Sequence, residues 1–150
     1  MNILLVNLPS VPFGVLDSAF QNNEEPEVPF RPQIPLGLLY LGSYARKYAS
    51  REFDIKFLDI NMELYKIFIS RKRSEHIQTG KYVLDHLKTI IFRAVDGYNP
   101  SIVGINILFA TVYQSGNIVS QIFRECCPES FIVAGGVQAT NSYQHLLNKG

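Results

Sequence analysis

The chain has 150 residues, 47% of them hydrophobic and 18% charged, which fits one globular domain able to bury roughly 70% of the surface that its unfolded form exposes. Its formal net charge is +1, with the charges mixed along the sequence, so there is no extended positive field to steer it to nucleic acid or acidic lipid. No apolar run approaches the roughly 20 residues of a membrane span, and neither nucleic acid nor membrane is an expected partner.

Met1-Asn2 leads straight into Ile3-Leu4-Leu5-Val6 without the basic region and cleavage site of a secretory signal, so a cytoplasmic location is expected. Residues 2–8 form a short apolar run closed by Pro9, the pattern of a strand buried on both faces. Residues 9–35 hold Pro9, Pro12, Pro26, Pro29, Pro32 and Pro35 together with Glu24, Glu25 and Glu27. That mixture predicts one long loop, and residues 14–32 are expected to be poorly ordered or to fold as a flap over the carboxyl edge of the sheet.

Pro35 suits a helix start, and Leu36, Leu39, Tyr40, Tyr44 and Tyr48 recur at helical spacing, widened by Leu38, Leu41 and Ala45; helix 36–49 is expected to pack on the sheet. Residues 53–60 read as a second strand ending at Asp59. A helix over 62–69 follows, interrupted by the basic turn Arg71-Lys72-Arg73. Val83, Leu87, Ile90, Ile91, Ala94 and Val95 mark an amphipathic helix that Gly97 and Pro100 terminate. Residues 101–108 are a third strand, 112–127 a helix stopped by Pro128, 131–134 a fourth strand, and 142–149 the start of a further helix.

Four alternations of strand and helix without a hairpin signal predict an α/β fold of the flavodoxin-like or Rossmann-like kind. The sheet is expected to be parallel, in the order 2-1-3-4, with helices on both faces. Such sheets bind ligands at the carboxyl ends of their strands, where the order reverses, so the loops after residues 8, 60, 108 and 134 are the ones to search.

The first of these, Asn7-Leu8-Pro9-Ser10, has neither the Gly-x-Gly-x-x-Gly of a dinucleotide site nor the ending of a phosphate loop. The third strand ends in Asn106-Ile107-Leu108-Phe109-Ala110-Thr111, where Asn106 and Thr111 offer hydrogen-bonding groups. After the fourth comes Gly135-Gly136-Val137-Gln138-Ala139-Thr140, where two residues without side chains allow positive φ and close approach of a ligand. Cys126 and Cys127 are adjacent, spacing that suits neither zinc nor a disulfide framework. His76, His86 and His145 are scattered, and no metal site is expected.

In order and spacing, Asn106-Ile107-Leu108 and Gly135-Gly136 stand where cobalamin-binding domains of the methionine-synthase type have Ser-x-Leu and Gly-Gly. That family's Asp-x-His-x-x-Gly, which supplies the histidine below cobalt, is absent. With Pro35-Leu36-Gly37-Leu38-Leu39-Tyr40-Leu41 and Gly135-Gly136-Val137-Gln138-Ala139-Thr140, the chain resembles the cobalamin-binding amino-terminal domain of radical S-adenosylmethionine enzymes over nearly its whole length. The resemblance implies that Asn106, Leu108 and Thr111 border the corrin, and that Gly135, Gly136, Gln138 and Thr140 accept the nucleotide tail, with no histidine ligand to cobalt.

It also implies a carboxy-terminal radical S-adenosylmethionine domain holding S-adenosylmethionine and a [4Fe–4S] cluster, whose Cys-x-x-x-Cys-x-x-Cys run does not occur here. The chain alone is then not catalytic, and Gly150 is expected to precede a missing fifth strand. The alternative is the same fold without its cofactor, a docking or substrate-contacting module. A receiver domain would want acids after the first strand and an Asp at the end of the third, where this chain has Asn7 and Asn106. A flavodoxin would want a Ser/Thr-rich phosphate loop in place of Pro9-Ser10-Val11-Pro12.

Overall fold

The computed structural model describes residues 1–26, 30–50, 52–73 and 83–144. His76 and His145 lie outside them, as does most of the helix expected over 142–149. Among the described residues four strands, β1 (Asn2–Asn7), β2 (Asp54–Asp59), β3 (Ile102–Asn106) and β4 (Phe131–Gly135), form one sheet in the order β2-β1-β3-β4. Every pairing is parallel, so the predicted topology is the observed one. β1 is covered on both faces, Leu4 and Val6 by the larger core and Leu5 by the smaller, which is why all three are buried.

Among the described residues six α-helices accompany the sheet: α1 (Phe13–Asn22), α2 (Leu36–Tyr48), α3 (Ile60–Arg73), α4 (Val83–Val95), α5 (Tyr113–Cys126) and α6 (Val137–Asn141). Leu4, Val6, Leu58, Val103 and Ile105 face the larger core, shared with α1, α3, α4 and α5. Leu5 and Ile55 point the other way and meet Leu38 of α2.

Three expectations are corrected. Residues 9–35 are not one loop: α1 occupies their middle, with Phe13, Leu16, Ala19 and Phe20 buried. The six prolines sit at the two ends of the stretch and leave 13–25 free of them. Pro12 precedes the first turn, where a missing N–H costs nothing, and Asn23 closes the helix in the left-handed region at φ 54°. Phe30 is buried as well, 6.1 Å from the ring of Phe68. Among the described residues of the 14–32 stretch none lines the carboxyl-edge cleft, which Gln33, Ile34 and Pro35 reach from just beyond it.

The basic run Arg71-Lys72-Arg73 does not interrupt its helix, whose backbone continues to Arg73; Arg and Lys are good helix formers. The third correction concerns the face of α2. Leu36, Tyr40, Tyr44 and Tyr48 are more than half exposed, while Leu38 and Gly42 are buried. Gly42 decides this, because a Cβ there would stand 2.6 Å from the ring of Phe57. The helix approaches the sheet through its small residue and turns its aromatic stripe outward.

At the amino edge Tyr98 ties the strands together, its hydroxyl 3.0 Å from the carbonyl oxygens of Ile3 and Asp54. Burial, then the charge of Asp54, raises its pKa above the ordinary 10.0. A raised pKa stabilises the fold below the unfolded value, and that contribution is lost as pH climbs through the folded one. Tyr98→Phe is therefore expected to cost about 1 kcal/mol at neutral pH and to flatten the alkaline decline in stability above about pH 10. Urea midpoints across that range for both proteins provide the check.

Candidate functional site

The strand order reverses between β1 and β3, and the loops that leave their carboxyl ends diverge there, opening a crevice. A narrow cleft of about 50 Å³ occupies it, lined by Asn7, Leu8, Pro9, Ser10, Gln33, Ile34, Pro35, Asn61, Asn106, Leu108, Phe109 and Val112. A separate open groove of about 540 Å³ is lined by Pro12, Ala110, Thr111, Tyr113, Gln114, Gln138 and Ser142, a size that suits a small-molecule ligand. A larger hollow, about 630 Å³, lies at the amino edge against Met1, Asn2, Arg46 and Asp54. There the Arg46 guanidinium already donates to the Ile55 carbonyl at 3.1 Å, and parallel sheets of this winding bind at the other edge.

Local chemistry fixes the carboxyl edge. Asp59, the last residue of β2, accepts hydrogen bonds from the Met62 N–H and the Asn7 Nδ2, each 3.1 Å. It thereby caps the start of α3 and joins the ends of β1 and β2. A 3₁₀ turn over Ala110–Val112 leads into α5. Ser115 is buried and accepts from the Phe13 N–H at 3.3 Å, fastening the start of α1 beside the first turn of α5.

Four of the seven expected site residues divide between these features, and Gly135, Gly136 and Thr140 line neither. Asn106 and Leu108 line the cleft, and Thr111, in the 3₁₀ turn, and Gln138, in α6, line the groove. Gln138 also donates from Nε2 to Ser142 at 2.6 Å, and its N–H to the Ile107 carbonyl at 3.2 Å. Thr140 is exposed, bonds the Gly136 carbonyl at 3.1 Å, and lines neither feature.

The two glycines differ. Gly135 has nothing within 4 Å of a would-be Cβ, whereas Gly136, at φ 95°, would bring one to 2.6 Å from the Ile107 carbonyl oxygen and 2.7 Å from Asn106 Oδ1. The space expected for a ligand's tail at Gly136 is filled by β3 and its exit.

Two further groups belong to this edge. Asn61 is 2% exposed; its Nδ2 donates to the Arg31 carbonyl at 3.0 Å, and its Oδ1 has no partner among the described residues. Tyr113, a half-buried residue that lines the groove, has a buried hydroxyl that is likewise unpartnered among them. Each such oxygen costs about 1–3 kcal/mol unless something donates to it or accepts from it. A lone Asn or Tyr has no spacing signature, although each stands shortly after a strand exit that the sequence marked for search.

Burial raises the pKa of both Cys126 and Cys127, which keeps their thiols protonated and poorly nucleophilic. His86 stands 6.0 Å from the ring of Phe20, on the side of the larger core. Among the described residues no three His, Cys, Asp or Glu side chains gather as metal ligands, and no helix is long and apolar enough to cross a membrane. Compared with protein-family models, curated proteins and solved structures, the chain shows no match.

Proposed function

We propose that this domain binds cobalamin at the carboxyl edge of its sheet and presents it to a radical S-adenosylmethionine domain, which would hold the S-adenosylmethionine and the [4Fe–4S] cluster. The observation that carries the reading is the groove where Thr111 and Gln138 meet beside the unpartnered Tyr113 hydroxyl. It is an open space of ligand size with a mixed polar and apolar lining, and it holds one residue from the exit of β3 and one from the exit of β4 to which the family resemblance assigns a cofactor-binding role.

The groove would take polar groups of the nucleotide tail, with Thr111, Tyr113 and Gln138 as partners. Leu108 and Phe109, each nearly half exposed, would lie against the corrin. Bound cobalamin supplies organometallic chemistry at cobalt, while the chain orients the ring and excludes water from its apolar border. No histidine of the chain is assigned below the metal.

The test is an absorbance titration with hydroxocobalamin, expected to give a saturable spectral change and retention of the cofactor through gel filtration. Gly135→Val, which fills the open space beside Asn106, is expected to weaken binding at least about tenfold, equivalent to about 1.4 kcal/mol. His76→Ala, His86→Ala and His145→Ala are expected to leave it intact. An unchanged spectrum with the native protein overturns the cofactor reading and favours a docking module of the same enzyme class. One specific observation speaks for that second reading: the outward stripe of Leu36, Tyr40, Tyr44 and Tyr48 on α2, a contiguous apolar surface of the kind that marks interaction sites.

A further inference from the structure

The geometry points to a subsite at the strand-order reversal that recognises an uncharged primary amide, with Asn61 as its specificity-determining residue. Asn61 is the second residue of α3, whose first turn is held by the Asp59 cap. Its orientation is fixed, because Nδ2 donates to the Arg31 carbonyl at 3.0 Å and Oδ1 is left as the unused acceptor. The residue is 2% exposed, yet it lines the cleft. A ligand group that pairs with it must bring a donor into a space of about 50 Å³, room for a carboxamide but not for a ring.

Charge chooses among donors. Among the described residues no charged side chain lines the cleft; Asp59 stands outside the lining, its Oδ1 turned to Asn7 and the Met62 N–H. A carboxylate would surrender its water to face an acceptor oxygen with no cation, and an ammonium would lose hydration without a counter-charge. A primary amide suits both sides of the exchange: its NH₂ donates to Asn61 Oδ1, while its carbonyl can accept from Ser10 or Gln33, which also line the cleft. Exposed Ile34, Leu108 and Phe109 at the mouth suit an apolar body carrying that amide. For the identity of the carrier this inference rests on the cobalamin proposal, since the corrin is an apolar macrocycle bearing neutral acetamide and propionamide arms.

The experiment compares cobinamide, whose arms are amides, with cobyrinic acid, whose arms are carboxylates. The native protein is expected to bind cobinamide at least about tenfold more tightly, and Asn61→Leu, near-isosteric and without the acceptor, to lose that preference while keeping its urea midpoint. Equal affinities in the native protein, or a preference retained by folded Asn61→Leu, overturn the subsite. A second measurement needs neither variant nor corrinoid: in the ¹⁵N-labelled native protein, acetamide is expected to shift the Asn61 side-chain NH₂ resonance saturably, and acetate not. Absence of the acetamide shift overturns the subsite; the shift without binding of either corrinoid sustains it and overturns the cobalamin reading alone.

Discussion

Gly136→Val is expected to cost the fold about 3–5 kcal/mol, whereas Gly135→Val one position earlier changes stability by less than about 1 kcal/mol. Gly136 has φ 95° and ψ 169°, a region that is essentially restricted to glycine. Any β-carbon there also meets the Ile107 carbonyl oxygen at 2.6 Å and Asn106 Oδ1 at 2.7 Å, so β4 and β3 must part or the turn must rebuild. Gly135 is the last residue of β4, paired with Asn106 in register and open on its side-chain side; valine suits a strand there. Urea denaturation of both variants decides the matter, and equal losses would contradict it. The consequence for function is direct: lost cobalamin binding in Gly136→Val would report a damaged turn, while the same loss in Gly135→Val, with stability kept, would report an occupied site.

The sheet was legible because each strand is a short, nearly continuous apolar run and the strands alternate with amphipathic stripes. Val83, Leu87, Ile90, Ile91 and Val95 place α4 at the bounds it adopts. Two helices misled for different reasons. Proline density averaged over 9–35 concealed a proline-free interior with a helical stripe. On α2, the apolar stripe was assigned to the sheet because hydrophobicity was weighed without contact distance; Gly42, the residue with no side chain, sets the closest approach.

At the site, topology alone brought Thr111 and Gln138 together, since both follow strands at the same edge. Asn61 stayed hidden because its partner is the backbone carbonyl of Arg31, and a backbone atom 30 positions away carries no residue identity to read. The sequence could indicate which edge to search for a ligand; which polar atom is left unpaired there is a property of the packed fold.

Leu16→Ala is expected to destabilise the protein by about 2–5 kcal/mol, a large share of the roughly 5–15 kcal/mol that holds a domain folded. Leu16 is 0% exposed, between Phe13 and Phe20 on the inner stripe of α1, whereas Val15 on the same helix is 39% exposed. Val15→Ala should therefore fall within about 0.5 kcal/mol of the parent. A flap over the carboxyl edge would show neither the large loss nor the contrast, so the pair of urea midpoints separates a core helix from a lid. The effect should also reach the candidate site. The Phe13 N–H at the head of α1 bonds Ser115 on α5, and Asp17 Oδ1 accepts from the Val83 N–H at 2.6 Å to cap α4. α1 thus braces the helix whose first turn carries Tyr113 and Gln114 on the groove. Loosening it is expected to weaken hydroxocobalamin binding in Leu16→Ala under conditions where the variant is still folded, and to leave binding unchanged in Val15→Ala.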